Sequence, residues 1–234
     1  MIKHLRLPLR FDADRMLHEV RSLEAKLWKD HYQVLHYEGA WRALPLRSQG
    51  GRPDDVYISP VPGAVYQDTP MLEACPYLRE VLAAFRCPLQ AARLMKLDAG
   101  AVIKEHRDAG LCAEEGEARF HIPVLTHPDV AFVLDGDRLP LQAGECWYLN
   151  FNLPHSVRNE SQVDRIHLVI DALADDWVRG LLADEKADCR RDMEAPDPYG
   201  EKDRRAMIGE LRRMGTPTAS QMAEEMEKKL LSRF

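Results

Sequence analysis

Between Leu89 and Asp171 the chain is a succession of short apolar or alternating runs, at 90–98, 101–106, 117–126, 130–134, 138–141, 145–150, 155–158 and 164–171. The breaks between them form turns: Asp98-Ala99-Gly100, Thr126-His127-Pro128, Asp135-Gly136, Ala143-Gly144 and Asn152-Leu153-Pro154. A period of two suits strands buried on one face, and such short connections leave no room for crossover helices. A parallel α/β sheet is therefore excluded. About eight strands in succession predict a mainly β fold, an antiparallel double-stranded β-helix of the jelly-roll, cupin-like kind.

Helices are predicted to flank this region. Asp12 can cap a helix over 12–27, whose Met16, Leu17, Val20, Leu23 and Leu27 recur at threes and fours. Residues 39–68, punctuated by glycine and proline, read as loops with short extended pieces such as Asp55 to Ser59. A second helix runs from after Pro70 to near Arg86, broken at Pro76. Beyond Asp171 the chain turns charged and helical, at about 173–185, 201–214 and 218–232, with Glu194 to Gly200 as a linker or ordered turn. In the last segment Met222, Met226 and Leu230 share one face. Two regions are expected: 1–172, the jelly roll with its N-terminal helices, and 173–234, a C-terminal helical extension.

Composition narrows the function. A net charge of −6 over 234 residues opposes general affinity for nucleic-acid phosphates. No uncharged apolar stretch approaches 18 residues, so no membrane span is expected, and the charged opening MIKHLRLPLRFDADR does not read as a secretion signal. The 5 cysteines include no CxxC pair, which argues against a disulfide framework or thiolate zinc site. A reducing cytoplasm is the expected compartment.

The chemistry concentrates at His106-Arg107-Asp108 and at His155. Two imidazoles and a carboxylate can occupy one face of an octahedral metal and leave positions for cosubstrate and oxygen. His106 and Asp108, two apart on an extended chain, point to the same side. With 9 histidines in the chain, an HxD also arises by chance. Arg165, in Asp164-Arg-Ile-His-Leu-Val-Ile-Asp171, alternates onto one face with His167 and Val169. An inward guanidinium there needs an anion. 2-Oxoglutarate, chelating iron at one end and reaching Arg165 at the other, would supply it; so would an internal salt bridge, for example to Glu145. Arg119 and His121 share a face opposite Phe120 and Ile122, and either can bind a carboxylate. A core histidine bonded to backbone explains His121 equally well. Trp147 lies on a strand, with core packing its default and the pocket wall its alternative. Arg93 fits the surface better than the cavity, and Cys112 and Cys146 read as small buried hydrophobes.

Four blocks carry a resemblance: HRDAG at 106–110, RFHIPV at 119–124, GECWYLNFNLPHSVRN at 144–159 and DRIHLVID at 164–171. In order and spacing they resemble the aspartyl/asparaginyl β-hydroxylase family of Fe(II)/2-oxoglutarate oxygenases, which includes bacterial proline hydroxylases. The resemblance covers roughly residues 40–172. It implies that His106, Asp108 and His155 are iron ligands and that Arg165 pairs with the distal carboxylate of 2-oxoglutarate. It implies that His121 lies near the iron-side part of that cosubstrate and that Arg119 holds a substrate carboxylate. The animal aspartyl hydroxylase lacks the acidic iron ligand, so Asp108 puts this chain nearer the bacterial small-molecule hydroxylases.

The expected activity is hydroxylation of an unactivated C–H with Fe(II), 2-oxoglutarate and O2, releasing succinate and CO2, with ascorbate helpful in vitro. A free or derivatised amino acid is the first substrate class, a peptide or protein side chain the second, a lipid-linked acyl group the third. Two other classes compete: a cupin-like Zn or Mn enzyme that does not use 2-oxoglutarate, and a non-enzymatic binding module. A homodimer through the helical tail is a further expectation.

Overall fold

The computed structural model describes residues 1–31, 33–56, 63–183 and 188–191, with isolated positions at 205, 208, 209, 212, 223, 224, 227 and 228. By contacts the chain divides into two units, Met1–Glu194 and Ala195–Phe234. The strands of the first unit are β1 (Ile2–Arg10), β2 (Lys29–Asp30), β3 (Tyr37–Glu38), β4 (Trp41–Gln49), β5 (Tyr66–Asp68), β6 (Leu89–Leu97) and β7 (Val102–His106). They continue with β8 (Glu117–Leu125), β9 (Val130–Leu134), β10 (Asp137–Leu139), β11 (Glu145–Leu149), β12 (His155–Asn159), β13 (Arg165–Leu173) and β14 (Asp188–Arg191). Helices α1 (Ala13–Ser22), α2 (Pro70–Glu73), α3 (Pro76–Ala83) and α4 (Asp176–Ala183) flank them.

The strands form two antiparallel sheets, ordered β14-β1-β11-β8-β13-β6-β4-β2 and β10-β9-β12-β7-β3, with β5 on β4. This is a double-stranded β-helix, mainly β, as the turn spacing predicts. The larger sheet has two chemically different faces because its strands alternate. One face carries Leu44, Leu46, Leu94, Phe120, Ile122, Tyr148, Leu168 and Ile170, packed with Met16 and Val20 of α1, Leu78 and Val81 of α3, and Val178 and Leu182 of α4. Each such fully buried Leu, Ile or Phe stabilises by roughly 1.5–3 kcal/mol. The other face carries Arg93, Arg119, His121, Trp147, Arg165, His167 and Asp171, all buried in the interior of the roll.

Local sequence sets the boundaries. Asp12 caps α1 by accepting the Arg15 N–H at 3.0 Å. The helix expected over 12–27 is shorter, ending at Ser22, with a separate 3-10 turn at Ala25–Leu27. The break expected at Pro76 separates α2 from α3. Besides the short β2, β3 and β14, two long strands lie where the sequence predicts none. β1 lies in the charged opening, and β4 lies where loops were expected. β4 reads Trp-Arg-Ala-Leu-Pro-Leu-Arg-Ser-Gln and is buried on both faces, so it lacks the alternation of a half-exposed strand. Its Pro45 sits where the register with β6 shifts, which accommodates the missing donor. Of the tail, α4 overlaps the helix expected over 173–185, although Leu173 still belongs to β13. The 194–200 linker and the Met222/Met226/Leu230 stripe lie outside the described residues, as do most of 201–214 and 218–232. No helix among the described residues is long and apolar enough to cross a membrane.

Candidate metal centre

β7 and β12 are hydrogen-bonded neighbours in the smaller sheet, and their register sets His155 opposite His106. The two rings stand 4.2 Å apart between centroids. Asp108 follows on a loop latched to the turn that leads into β12: its N–H donates to Phe151 O at 2.9 Å, and the Gly110 N–H donates to Asn152 Oδ1 at 3.1 Å. Gly110, at φ 82, supplies the left-handed residue this loop requires. One ligating atom from each of His106, Asp108 and His155 then lies within 4.8 Å of the others.

Hydrogen bonding aims these atoms. His106 Nδ1 donates to Lys104 O at 2.8 Å, and His155 Nδ1 donates to Leu153 O at 3.0 Å. Each ring therefore offers its other nitrogen, Nε2, to a cation. Burial pushes the His155 pKa down to about 4, against the pull of Asp108, so the ring is neutral as a ligand must be. Burial would lift the Asp108 carboxyl, but the Arg119 guanidinium outweighs it and holds the group ionised. Two imidazoles and one carboxylate, with both Nδ1 atoms bonded to backbone oxygens, fit a divalent transition metal with open positions.

Arg119 is engaged by two carboxylates. Its Nη1 donates to Asp108 Oδ2 at 2.8 Å and its Nε to Asp171 Oδ1 at 2.6 Å, while Asp171 Oδ2 accepts from Arg93 Nη2 at 2.7 Å. Burial works against the charge on Arg119, but Asp171 and Asp108 together raise its pKa. Among the described residues no protein acceptor is bonded to its Nη2. Arg93 is buried rather than on the surface. Asp171 escaped the sequence reading, although it continues the alternation of Arg165, His167 and Val169 and so shares their face.

Arg165 is 2 % exposed, and no carboxylate among the described residues lies within ion-pair distance. Its Nη2 donates to His167 Nδ1 at 2.8 Å, and its Nε has no partner. Glu145, the internal partner weighed for it, instead accepts from Trp147 Nε1 at 3.0 Å and from Gln142 N at 3.1 Å. Burial alone pushes the Arg165 pKa down to about 9, since no neighbouring carboxylate opposes it. Arg165 and His167 line a cavity of about 530 Å³ together with Phe132, Arg138, Leu141 and Gln142.

Ring contacts join this end to the metal ligands. His121 lies against His167, stacks on Phe151 at 5.0 Å, and Phe151 meets His155 edge-on at 4.4 Å. Trp147 is paired with His121 across β11 and β8, so it shares the inner face. His36, 5.0 Å from His106 between ring centroids, and His31, stacked on Trp41 at 3.5 Å, border the site from the segment before β4. Neither was legible in sequence, because residues 28–40 carry no periodicity.

A jelly roll that converges two imidazoles and a carboxylate, and buries a guanidinium without a carboxylate on the same interior, has the side-chain chemistry that a non-haem iron oxygenase with a dicarboxylate cosubstrate needs. The sequence profile of the aspartyl/asparaginyl beta-hydroxylase family matches residues 9–174. The chain is 28% identical over 200 residues to an L-proline cis-4-hydroxylase of Rhizobium meliloti (strain 1021), covering 84% of this chain and 70% of that protein. It is 27% identical over 175 residues to L-proline cis-3-hydroxylase 2 of Streptomyces sp, covering 73% of this chain and 60% of that one, less than two thirds of its length. Among solved structures, HygX from Streptomyces hygroscopicus, with nickel and 2-oxoglutarate bound, is similar at 13% identity and a TM-score of 0.46, over 73% of this chain and 82% of that one. The chain belongs to the aspartyl/asparaginyl β-hydroxylase family. It is a hydroxylase that uses Fe(II), 2-oxoglutarate and O2.

Proposed function

We propose that the chain hydroxylates an unactivated C–H of a free or derivatised amino acid, with His106, Asp108 and His155 holding Fe(II) and Arg165 holding the distal carboxylate of 2-oxoglutarate. The observation that carries this reading is the buried Arg165 guanidinium without a carboxylate, joined by His167, His121 and Phe151 to the triad. Iron and cosubstrate supply the oxidising power, with succinate and CO2 as by-products. The chain's own residues supply position and dryness. Arg119 keeps Asp108 ionised and oriented. The rings of Phe132, Phe151 and His121 exclude water from the space between Arg165 and His155.

His121 borders the iron-side part of the cosubstrate in this reading. The substrate carboxylate meets Nη2 of Arg119, whose other nitrogens are bound to Asp108 and Asp171, and Trp147 walls the pocket. The similarity to L-proline hydroxylases supports an amino acid as the substrate class. The test is succinate formation by purified protein with Fe(II), ascorbate and 2-oxoglutarate, screened against free and N-acylated amino acids. Stimulation by an amino acid is expected. Stimulation by peptides alone would overturn the substrate class, and succinate formation untouched by His155→Ala would overturn the site.

A further inference from the structure

One turn serves two of the three candidate ligands. Within 150–154, Phe151 O accepts the Asp108 N–H at 2.9 Å, and Leu153 O accepts from His155 Nδ1 at 3.0 Å. Asn152, between those two carbonyls, is 9 % exposed, and each of its polar groups is bonded. Its N–H donates to Asn150 Oδ1 at 3.0 Å, and its carbonyl accepts from Arg107 Nη1 at 3.3 Å. Its side-chain Oδ1 accepts the Gly110 N–H at 3.1 Å. Its Nδ2 donates to Glu115 Oε1 at 3.4 Å and lies 3.7 Å from Cys112 Sγ. Arg107 and Gly110 bracket Asp108, so one residue clamps the chain on both sides of the carboxylate ligand.

Asp108 needs such a clamp more than the two imidazoles do. His106 and His155 lie on paired strands, whose ladder sets one opposite the other. β7 ends at His106, so Asp108 lies beyond the ladder and its backbone position depends on the loop. Arg119 holds one oxygen of the side chain and leaves the main chain to other contacts. We propose that Asn152 is a positioning residue for metal binding, which sets the Asp108 carboxylate at ligating distance from His155 by clamping 107–115 to the turn before β12. The inference rests on the metal site of the proposed function. A carboxamide suits the task because it accepts and donates at once: its oxygen serves Gly110 while its NH2 serves Glu115. Opening the loop would strand both partners, which makes the closed arrangement the favoured one. The coupling is reciprocal. An ion that needs Asp108 binds the clamped loop better than the open one, so its binding holds the clamp shut by the same factor.

The experiment is binding of Zn(II), a redox-inert stand-in for iron, to the full chain, measured by calorimetry against a competing chelator. Amide hydrogen exchange at Gly110 is followed alongside by NMR. Asn152→Ala should bind Zn(II) about tenfold more weakly than the parent, the lower end of what losing a partner that orients a ligand costs. In a chain already carrying Asp108→Ala, adding Asn152→Ala should weaken binding by less than about twofold more, because the ladder alone sets the two imidazoles. A residue that merely supports the fold would weaken binding in both backgrounds alike. Parent-like affinity of Asn152→Ala, or an undiminished loss in the Asp108→Ala background, overturns the proposal. Hydrogen exchange tests it with Asn152 in place, and so stands even where Asn152→Ala does not fold. Saturating Zn(II) should slow exchange of the Gly110 N–H in the parent by about tenfold, the reciprocal of the affinity change. Unchanged exchange in the zinc-saturated parent overturns the clamp. No Zn(II) binding by the parent, or equally tight binding by His155→Ala, overturns the metal site and the clamp with it. Failures confined to Asn152 and Gly110 overturn the clamp alone.

Discussion

Arg119 Nη1 lies 2.8 Å from Asp108 Oδ2, while Asp108 Oδ1 lies 3.9 Å from His106 Nε2. One carboxylate is thus divided between a guanidinium on one oxygen and the candidate metal position on the other. Arg119→Met should remove the orienting partner and let burial lift the Asp108 pKa. Metal affinity should fall by about 10–100-fold, the usual consequence of losing a partner that orients a ligand. Titration with Mn(II) at pH 7 measures this. Parent-like affinity would show that Asp108 holds its own geometry.

Arg165→Met carries two opposite expectations. The dissociation constant for 2-oxoglutarate should rise by about 30-fold or more, as when one partner of a buried charge pair is truncated. Without cosubstrate, the variant should unfold at a higher temperature than the parent, because an uncompensated buried cation has been replaced by an apolar side chain. Calorimetry and thermal unfolding check both. A less stable ligand-free variant would mean the guanidinium is already compensated.

The triad predicts metal-linked stability. A divalent ion at 100 times its dissociation constant should stabilise the chain by about 2.7 kcal/mol, which EDTA reverses. His155→Ala should abolish the shift in melting temperature, since the cation would keep only His106 and Asp108. An equal shift in that variant would place the ion elsewhere.

Acid should destabilise the metal-free protein over a defined window. Burial, then Arg93, Arg119 and His106 against the pull of Asp108, push His31 down to about 3; burial pushes His155 down to about 4, and His121 and His167 well below their usual value. In the unfolded chain all four titrate near pH 6.5. Below that pH the unfolded state binds more protons, so stability is full above about pH 6.5 and falls as pH drops toward 3. Each ring contributes about 1.4 kcal/mol per pH unit, so the four together give about 5.6. Denaturant unfolding between pH 8 and pH 4.5 measures the slope. His31→Asn should flatten the histidine part by about a quarter; an unchanged slope would remove His31 from the account.

Much of the interior was legible because β8 and β13 alternate cleanly. Arg119 and His121 oppose Phe120 and Ile122 in the sequence, and the larger sheet sets them on opposite faces. β4 was hidden because both of its faces are buried and Pro45 interrupts it, so it has neither alternation nor a polar side to reveal it. Arg93 looked like a surface residue, since nothing local to it announces Asp171, 78 residues away.

Residue order alone determined the strand succession, the turns between strands and the side of each strand on which a charge would lie, because these follow from periodicity and backbone sterics within a few neighbours. The partners were decided by the tertiary structure. Whether Arg119 meets a substrate or Asp108, and whether Arg165 meets Glu145 or His167, depends on register between strands and on how loops 107–112 and 150–154 latch together. Those are long-range contacts whose energies belong to no single segment. A charge buried by the fold takes whatever counter-charge the register sets beside it, and here the register leaves Arg165 without one.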